Sequence, residues 1–323
     1  MQWCLQMLVQ ETSLKNEILR LKKEKDVVIL AHNYQIPDVQ DIADFTGDSL
    51  GLSRQAAKVS QKTILFCGVH FMAETAAIIC PEKKVLIPDL QAGCSLSDSI
   101  TVEELRNWKK QHPNAITVGY VNTTAEIKSE LDYCCTSANA VNVVKAIPDD
   151  KEILFLPDMF LGSYVAKVTG RKNMFIWAGE CHVHAGIKPE DIAKKLDSMK
   201  DSEFLIHPEC SCTTPMMYDV AAGSFDDRKV SILSTEGMLN HVHNSKAKSF
   251  VVATETGILY KMRQQNPDKI FIPASEKAEC QYMKLITLKK VYDALVQEKN
   301  QVIVPKEIAD KARLAIERML AIS

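Results

Sequence analysis

The sequence predicts an α/β protein of three repeated units, each a parallel sheet with helices on both faces. Two observations carry this expectation. Short, nearly continuous apolar runs alternate with helical patterns, and the whole set of runs recurs three times at a near-constant interval. The first family of runs is VVILAHNY at 27–34, AITVGYVN at 115–122 and EFLIHPE at 203–209. Their polar ends align at His32, Tyr120 and His207, spaced by 88 and 87 residues. The second family is TILFCG at 63–68, EILFLP at 152–157 and SFVVATE at 249–255, and the third is KVLIPD at 84–89, MFIWAG at 174–179 and KIFIPA at 269–274. Helical spacing marks the intervening SLGLSRQAAKVS, SANAVNVVKAI and TEGMLNHVHNSKA. Each unit therefore reads strand, helix, strand, helix, strand. The units span 27–112, 113–200 and 201–323, the last including C-terminal helices. Residues 1–26 form an amphipathic lead-in helix expected to pack onto the third unit.

Composition narrows the function classes. The 39 basic and 41 acidic side chains leave a net charge of -2, so neither nucleic acid nor an anionic membrane is expected as a partner recruited by bulk charge. The opening MQWCLQMLVQ lacks the basic flank and small-residue cleavage site of a secretory signal. No run reaches the roughly 18 apolar residues of a membrane span, and a cytoplasmic protein is expected. Ten cysteines without an export signal point to free thiols used for metal binding or catalysis. Cys67 and Cys80, inside ILFCGV and AAIICP, read as small core residues.

In parallel sheets ligands bind beyond the carboxyl ends of the strands, and polar residues collect there. The pairs His32 with Tyr34, Tyr120 with Asn122, and His207 with Glu209 follow the first-family strands. Spacing by two puts both members of a pair on one face. Ser49, Ser137 and Ser234 with Thr235 sit where helices open, serving either as anion sites beside free N–H groups or as plain N-caps.

Cysteines fall on the same lattice. Cys94, Cys181 and Cys280 follow the third-family strands at intervals of 87 and 99 residues, so all three are expected to meet on a pseudo-threefold axis. Three thiolates with no close fourth match an iron-sulfur cluster with one open iron. Zinc is the alternative, held by the three cysteines with His182 or His184, or by His207 with Cys210 and Cys212. Three buried thiols are the bland reading. The residue three places after each cysteine is Ser97, His184 or Met283, so the loops are chemically unlike.

Taken together, LAHNYQIPDVQDIADFTGDSLGLS (30–53), FCGVHFMAETAAI (66–78), PDLQAGCSLSDS (88–99), VGYVNTTAEIKSELD (118–132), CTSANA (135–140), FLPDMFLGSYVA (155–166), IWAGECHVHAGI (176–187), HPEC (207–210), STEGML (234–239), TETGILYKM (254–262) and CQYM (280–283) resemble the quinolinate synthase family. The resemblance implies three pseudo-symmetric αβα domains around a central active site, with a [4Fe-4S] cluster on Cys94, Cys181 and Cys280 acting as Lewis acid. It implies condensation of iminoaspartate with dihydroxyacetone phosphate to quinolinate, phosphate and water, with L-aspartate oxidase as functional partner. Glu209, Tyr34 and His207 are the implied catalytic groups. His32, Ser49, Phe71, Met72, Tyr120, Asn122, Ser137, His184, Ser234, Thr235 and Met283 are the implied substrate-binding groups. Two departures stand out: Cys280 lacks the C-x-x-C partner seen in some members, and AAGSFDDRKVSILSTEGML differs from the family's acidic-glycine approach to the Ser-Thr pair. A zinc-dependent hydrolase or lyase and an iron-sulfur redox sensor are the rival readings.

Overall fold

A computed structural model describes residues 2–199, 201–221 and 230–322. It is an α/β structure with three four-stranded parallel sheets. The first sheet contains β1 (Val27–His32), β2 (Phe45–Gly47), β3 (Thr63–Cys67) and β4 (Lys84–Leu86) in the order β2-β1-β3-β4. The second contains β5 (Ile116–Tyr120), β6 (Tyr133–Cys135), β7 (Ile153–Leu156) and β8 (Met174–Ile176), ordered β6-β5-β7-β8. The third contains β9 (Glu203–Ile206), β10 (Val230–Ile232), β11 (Ser249–Ala253) and β12 (Ile270–Pro273), ordered β10-β9-β11-β12. One strand order is thus used three times.

The two longest apolar runs of each unit become its central strands. β1, β7 and β9 are buried at every position, and β3, β5 and β11 at all but the first. Such burial on both faces requires helices on both sides and explains the absence of apolar-polar alternation. Register is in phase across equivalent pairs, with Val27 opposite Thr63, Ile116 opposite Ile153 and Glu203 opposite Phe250. Each unit has one strand more than expected. β2, β6 and β10 have three residues each, too short for a periodic run, and they occupy sheet edges where one side needs no partner.

Helix Gln2–Glu24 packs chiefly on helix Leu288–Gln297, which lies within the span 201–323 of the third unit, and also on β1 and helix Pro37–Ile42 of the first. Helix Leu288–Gln297 packs on β3, and helix Lys306–Ala321 packs on helices His70–Ile79 and Ala125–Lys128 and on β6. The last helices therefore cover the first and second units. Their apolar stripes, including Val291, Ala294, Leu295, Ala312, Ile316 and Met319, are buried there. Asn139 Nδ2 donates to the carbonyls of Met319 and Ile322 at 2.9 and 2.8 Å, and Arg313 donates to that of Ile79 at 3.2 Å. Residue 200, the expected boundary between units two and three, and residue 323 lie outside the described residues.

Candidate active site

The carboxyl ends of the central strands of all three sheets face one cavity. His32 and Tyr34 reach it from β1, Tyr120 and Asn122 from β5, and His207 and Glu209 from β9. Phe71, Met72, Ser49, Ser137, His184, Thr235 and Met283 complete the expected set on its wall. Ser234 is absent from that wall. It is the N-cap of helix Thr235–Asn244 and its Oγ accepts from the Gly237 N–H at 3.2 Å, so its hydroxyl is already used. Residues 222–229 of the approach to this pair lie outside the described residues.

Ser49 behaves differently from Ser234. Asp48 caps helix Ser49–Lys58, accepting from Gly51 N–H at 2.7 Å, which leaves the Ser49 hydroxyl beside the first helical turn and facing the cavity. Ser137 precedes helix Ala140–Lys145, and its hydroxyl meets His207 Nε2 at 3.2 Å.

Glu209 is the hub of the buried polar network. Tyr120 donates its hydroxyl to Glu209 Oε1, and His184 Nδ1 lies 3.1 Å from Oε2. His184 stacks on His207 with ring centroids 4.8 Å apart. Its Nε2 meets Thr254 Oγ1 at 2.9 Å, and that hydroxyl also meets Tyr34 OH at 2.6 Å. The chain Tyr34–Thr254–His184–Glu209–Tyr120 therefore crosses all three units without a break.

Electrostatics separates two of the histidines from the third. Burial pushes His207 down to about 3, against the pull of Glu209. Burial and the nearby His207 ring likewise hold His32 at about 3. Burial also disfavours a charged His184, but the adjacent Cys181 sulfur and Glu209 outweigh it and raise its pKa to about 10. Burial would raise the Glu209 carboxyl, yet the His184 and His207 rings and the hydrogen bonds from His184 and Tyr120 hold it at about 2. An ionised carboxylate beside an imidazolium, in a dry site, is thus the resting arrangement at neutral pH.

Cys94, Cys181 and Cys280 all line this cavity. Among the described free cysteines they are the partly accessible ones, whereas Cys67, Cys80, Cys134 and Cys135 are buried. Burial pushes Cys94 up to about 12, with Cys280 adding to the effect, and Cys181 is raised by burial with Cys94 adding to it. Burial also raises Cys280. Thiols that disfavour one another's ionisation in one cavity are a donor set suited to a cationic metal centre, and three sulfur donors suit an iron-sulfur cluster. The residues present fit that group. A second donor set is Cys181, His184 and Glu209, whose ligand atoms lie within 4.8 Å of one another and could hold a single metal ion. The expected zinc alternative on His207, Cys210 and Cys212 is not formed: Cys210 and Cys212 are joined to each other in a disulfide, which removes both thiolates as ligands.

Several wall residues were not expected. Asp48, Ser95, Glu255 and Tyr282 line the cavity, as does His182, named only as a zinc alternative, and Thr254 links two of its rings. Asp48 and Ser95 each adjoin an expected residue, and Thr254 and Glu255 open TETG, so position beside a marked residue was the available signal.

Comparison with known proteins decides the family. The sequence profile of the Quinolinate synthetase A protein family matches residues 16–321. This chain belongs to that family. A quinolinate synthase from Thermus thermophilus is 53% identical over 310 residues, covering 96% of this chain and 97% of the relative. One from Pyrobaculum aerophilum is 52% identical over 306 residues, covering 95% and 98%. One from Mycobacterium tuberculosis is 51% identical over 306 residues, covering 95% and 88%. Family membership thus extends over all three units, and the described helices include none long and apolar enough to cross a membrane.

Proposed function

We propose that this chain is a quinolinate synthase that condenses iminoaspartate with dihydroxyacetone phosphate to quinolinate, phosphate and water, with a [4Fe-4S] cluster held by Cys94, Cys181 and Cys280. The observation that carries the reading is the convergence of three half-buried thiols, one from each unit, on the cavity that also holds Glu209. When bound, the cluster supplies a Lewis-acidic iron with an open coordination position.

The chain's own residues do the rest. Glu209 is ionised and can take a proton, while His184, 3.1 Å away, holds one to give. Such a pair suits conversion of a ketone to an aldehyde, in which one carbon loses a proton and an oxygen gains one. Tyr34 and His207 flank the pair: Tyr34 reaches His184 through Thr254, and His207, whose Nε2 meets the Ser137 hydroxyl, places Nδ1 3.9 Å from Glu209 Oε1. Asn122 has a buried Oδ1 without a hydrogen-bond partner, a group that a substrate polar atom would satisfy. With Tyr120 and Ser137 it orients the dicarboxylate. Ser49 and Thr235, at helix openings, receive phosphate oxygens. No lysine or arginine lines the cavity among the described residues, consistent with phosphate as a leaving group rather than a retained anchor. Phe71, Met72 and Met283 exclude water. The enzyme works in the cytoplasm, where L-aspartate oxidase supplies iminoaspartate.

The test is anaerobic purification followed by iron, sulfide and zinc analysis with an absorption spectrum. About four irons per chain with a broad visible shoulder are expected, falling to background in Cys94→Ala, Cys181→Ala or Cys280→Ala. A colourless protein with one zinc per chain would overturn the cluster and favour the Cys181–His184–Glu209 ion site.

A further inference from the structure

The threefold repeat exposes a difference among the three cysteine-bearing loops. Two residues beyond the ends of β3, β7 and β11 stand Val69, Asp158 and Glu255. The next residue in each case, His70, Met159 or Thr256, donates its N–H to the carbonyl of Ala92, Gly179 or Ala278 at 2.7, 2.8 and 2.9 Å. Those carbonyls lie two residues before Cys94, Cys181 and Cys280 respectively. The backbone joint is therefore the same in all three units, and the side chain beside it is not.

Glu255 is fully buried, and its bonds are local to this joint. Oε1 accepts the Cys280 N–H at 3.1 Å and pairs with Lys284 Nζ at 2.7 Å, while Oε2 accepts the Gly257 N–H at 2.7 Å. Lys284 in turn donates to the Tyr34 carbonyl at 2.6 Å. The backbone packs so closely here that a Cβ on Gly257 would lie 2.8 Å from both Glu255 Oε2 and the Tyr34 carbonyl. A buried carboxylate is costly unless its lone pairs are met, and here they are met by the cysteine loop itself. Asp158 holds the equivalent place in the second unit. In detail it does not match: Oδ1 caps the next helix through Leu161 N–H at 2.7 Å, and Oδ2 is buried without a hydrogen-bond partner, so no bond to the Cys181 amide is formed there. Val69 has no acceptor to offer, and no hydrogen bond from the Cys94 amide is formed among the described residues.

We propose that Glu255 is a positioning residue that clamps the third cysteine loop by the Cys280 amide, leaving the Cys94 loop without such a clamp. The proposal rests on the reading of the three cysteines as cluster ligands, but the clamp exists in the polypeptide alone. Partners that orient ligands are worth about 10- to 100-fold in metal affinity. The geometry sets the Cys280 loop apart from the Cys94 loop, the first held by its own amide and the second not.

Amide hydrogen exchange on the cluster-free protein, read by mass spectrometry, tests the clamp without the cluster. The Cys280 amide is expected to exchange more slowly than that of Cys94. Glu255→Ala should abolish this protection, Glu255→Gln should retain it because an oxygen acceptor persists, and Cys94 exchange should be unchanged in both. Lys284→Met leaves Glu255 able to accept the amide and should keep Cys280 protected, which preserves the test if Glu255→Ala fails to fold. On reconstituted protein, Glu255→Ala should release iron to a chelator about 10-fold faster than the parent. Equal Cys280 exchange in parent and Glu255→Ala would overturn the clamp. A parent that binds no iron would instead overturn the cluster reading and leave the exchange result to decide the clamp.

Discussion

The first and third units share a strand order and an in-phase register, yet they offer the cavity different chemistry. The first brings the apolar Phe71 and Met72 beside Tyr34, Ser49, Asp48 and a His32 held neutral by burial. The third supplies His207, Glu209, Thr235 and Glu255, together with the Thr254 hydroxyl that joins Tyr34 to His184. Buried strand interiors fix the frame, while residues just past the strand ends take no part in the sheet ladder. Those end positions can diverge without disturbing the packing beneath them, which lets a symmetric frame enclose an asymmetric site.

This contrast predicts unequal responses at equivalent places. The largest is at Glu209: Glu209→Gln should lower turnover about 10²- to 10⁴-fold with the iron content unchanged, measured as product formation by the reconstituted enzyme. Full activity in that variant would move the chemistry away from the third unit. The frame, by contrast, should respond alike in both units. Phe66→Ala and Phe250→Ala, each removing a buried central-strand ring, should each cost about 3–5 kcal/mol of stability by denaturant unfolding, and a large inequality would break the equivalence of the frames. Thr254→Val removes a hydroxyl shared by Tyr34 and the charged His184. It should cost about 1.5–3 kcal/mol of transition-state stabilisation, read in kcat/KM. The smallest effect is expected from Met72→Leu in the apolar part of the first-unit wall, less than about 1.5 kcal/mol and confined to KM.

Legibility in the sequence followed the same division. Long apolar runs marked all six central strands, and repeat spacing brought out the three cysteines and the His32–Tyr34, Tyr120–Asn122 and His207–Glu209 pairs. The edge strands Phe45–Gly47, Tyr133–Cys135 and Val230–Ile232 escaped notice because three residues carry no period. Asp48, Thr254 and Glu255 escaped because their importance lies in bonds to residues far along the chain, as with Tyr34 and Thr254, 220 positions apart. Ser234 was expected on the wall from its place at a helix opening and from the family resemblance. It differs from Ser49 because Asp48 relieves Ser49 of capping, and nothing relieves Ser234. The destination of the last two helices was invisible for a related reason: an amphipathic stripe shows that a helix will be covered, not by what.

That destination bears on how the molecule is made. Helix Lys306–Ala321 seals the seam between units that were synthesised well before it, through Arg54 to Leu320, Arg313 to Ile79 and Arg318 to Asp132 as well as its apolar stripe. During translation the first two units emerge with that seam open to solvent, and the contacts that shut it span up to 266 positions of chain. Closure of so long a loop is slow relative to local folding. The seam between the first two units therefore closes only once helix Lys306–Ala321 has been made, an order of events dictated by topology.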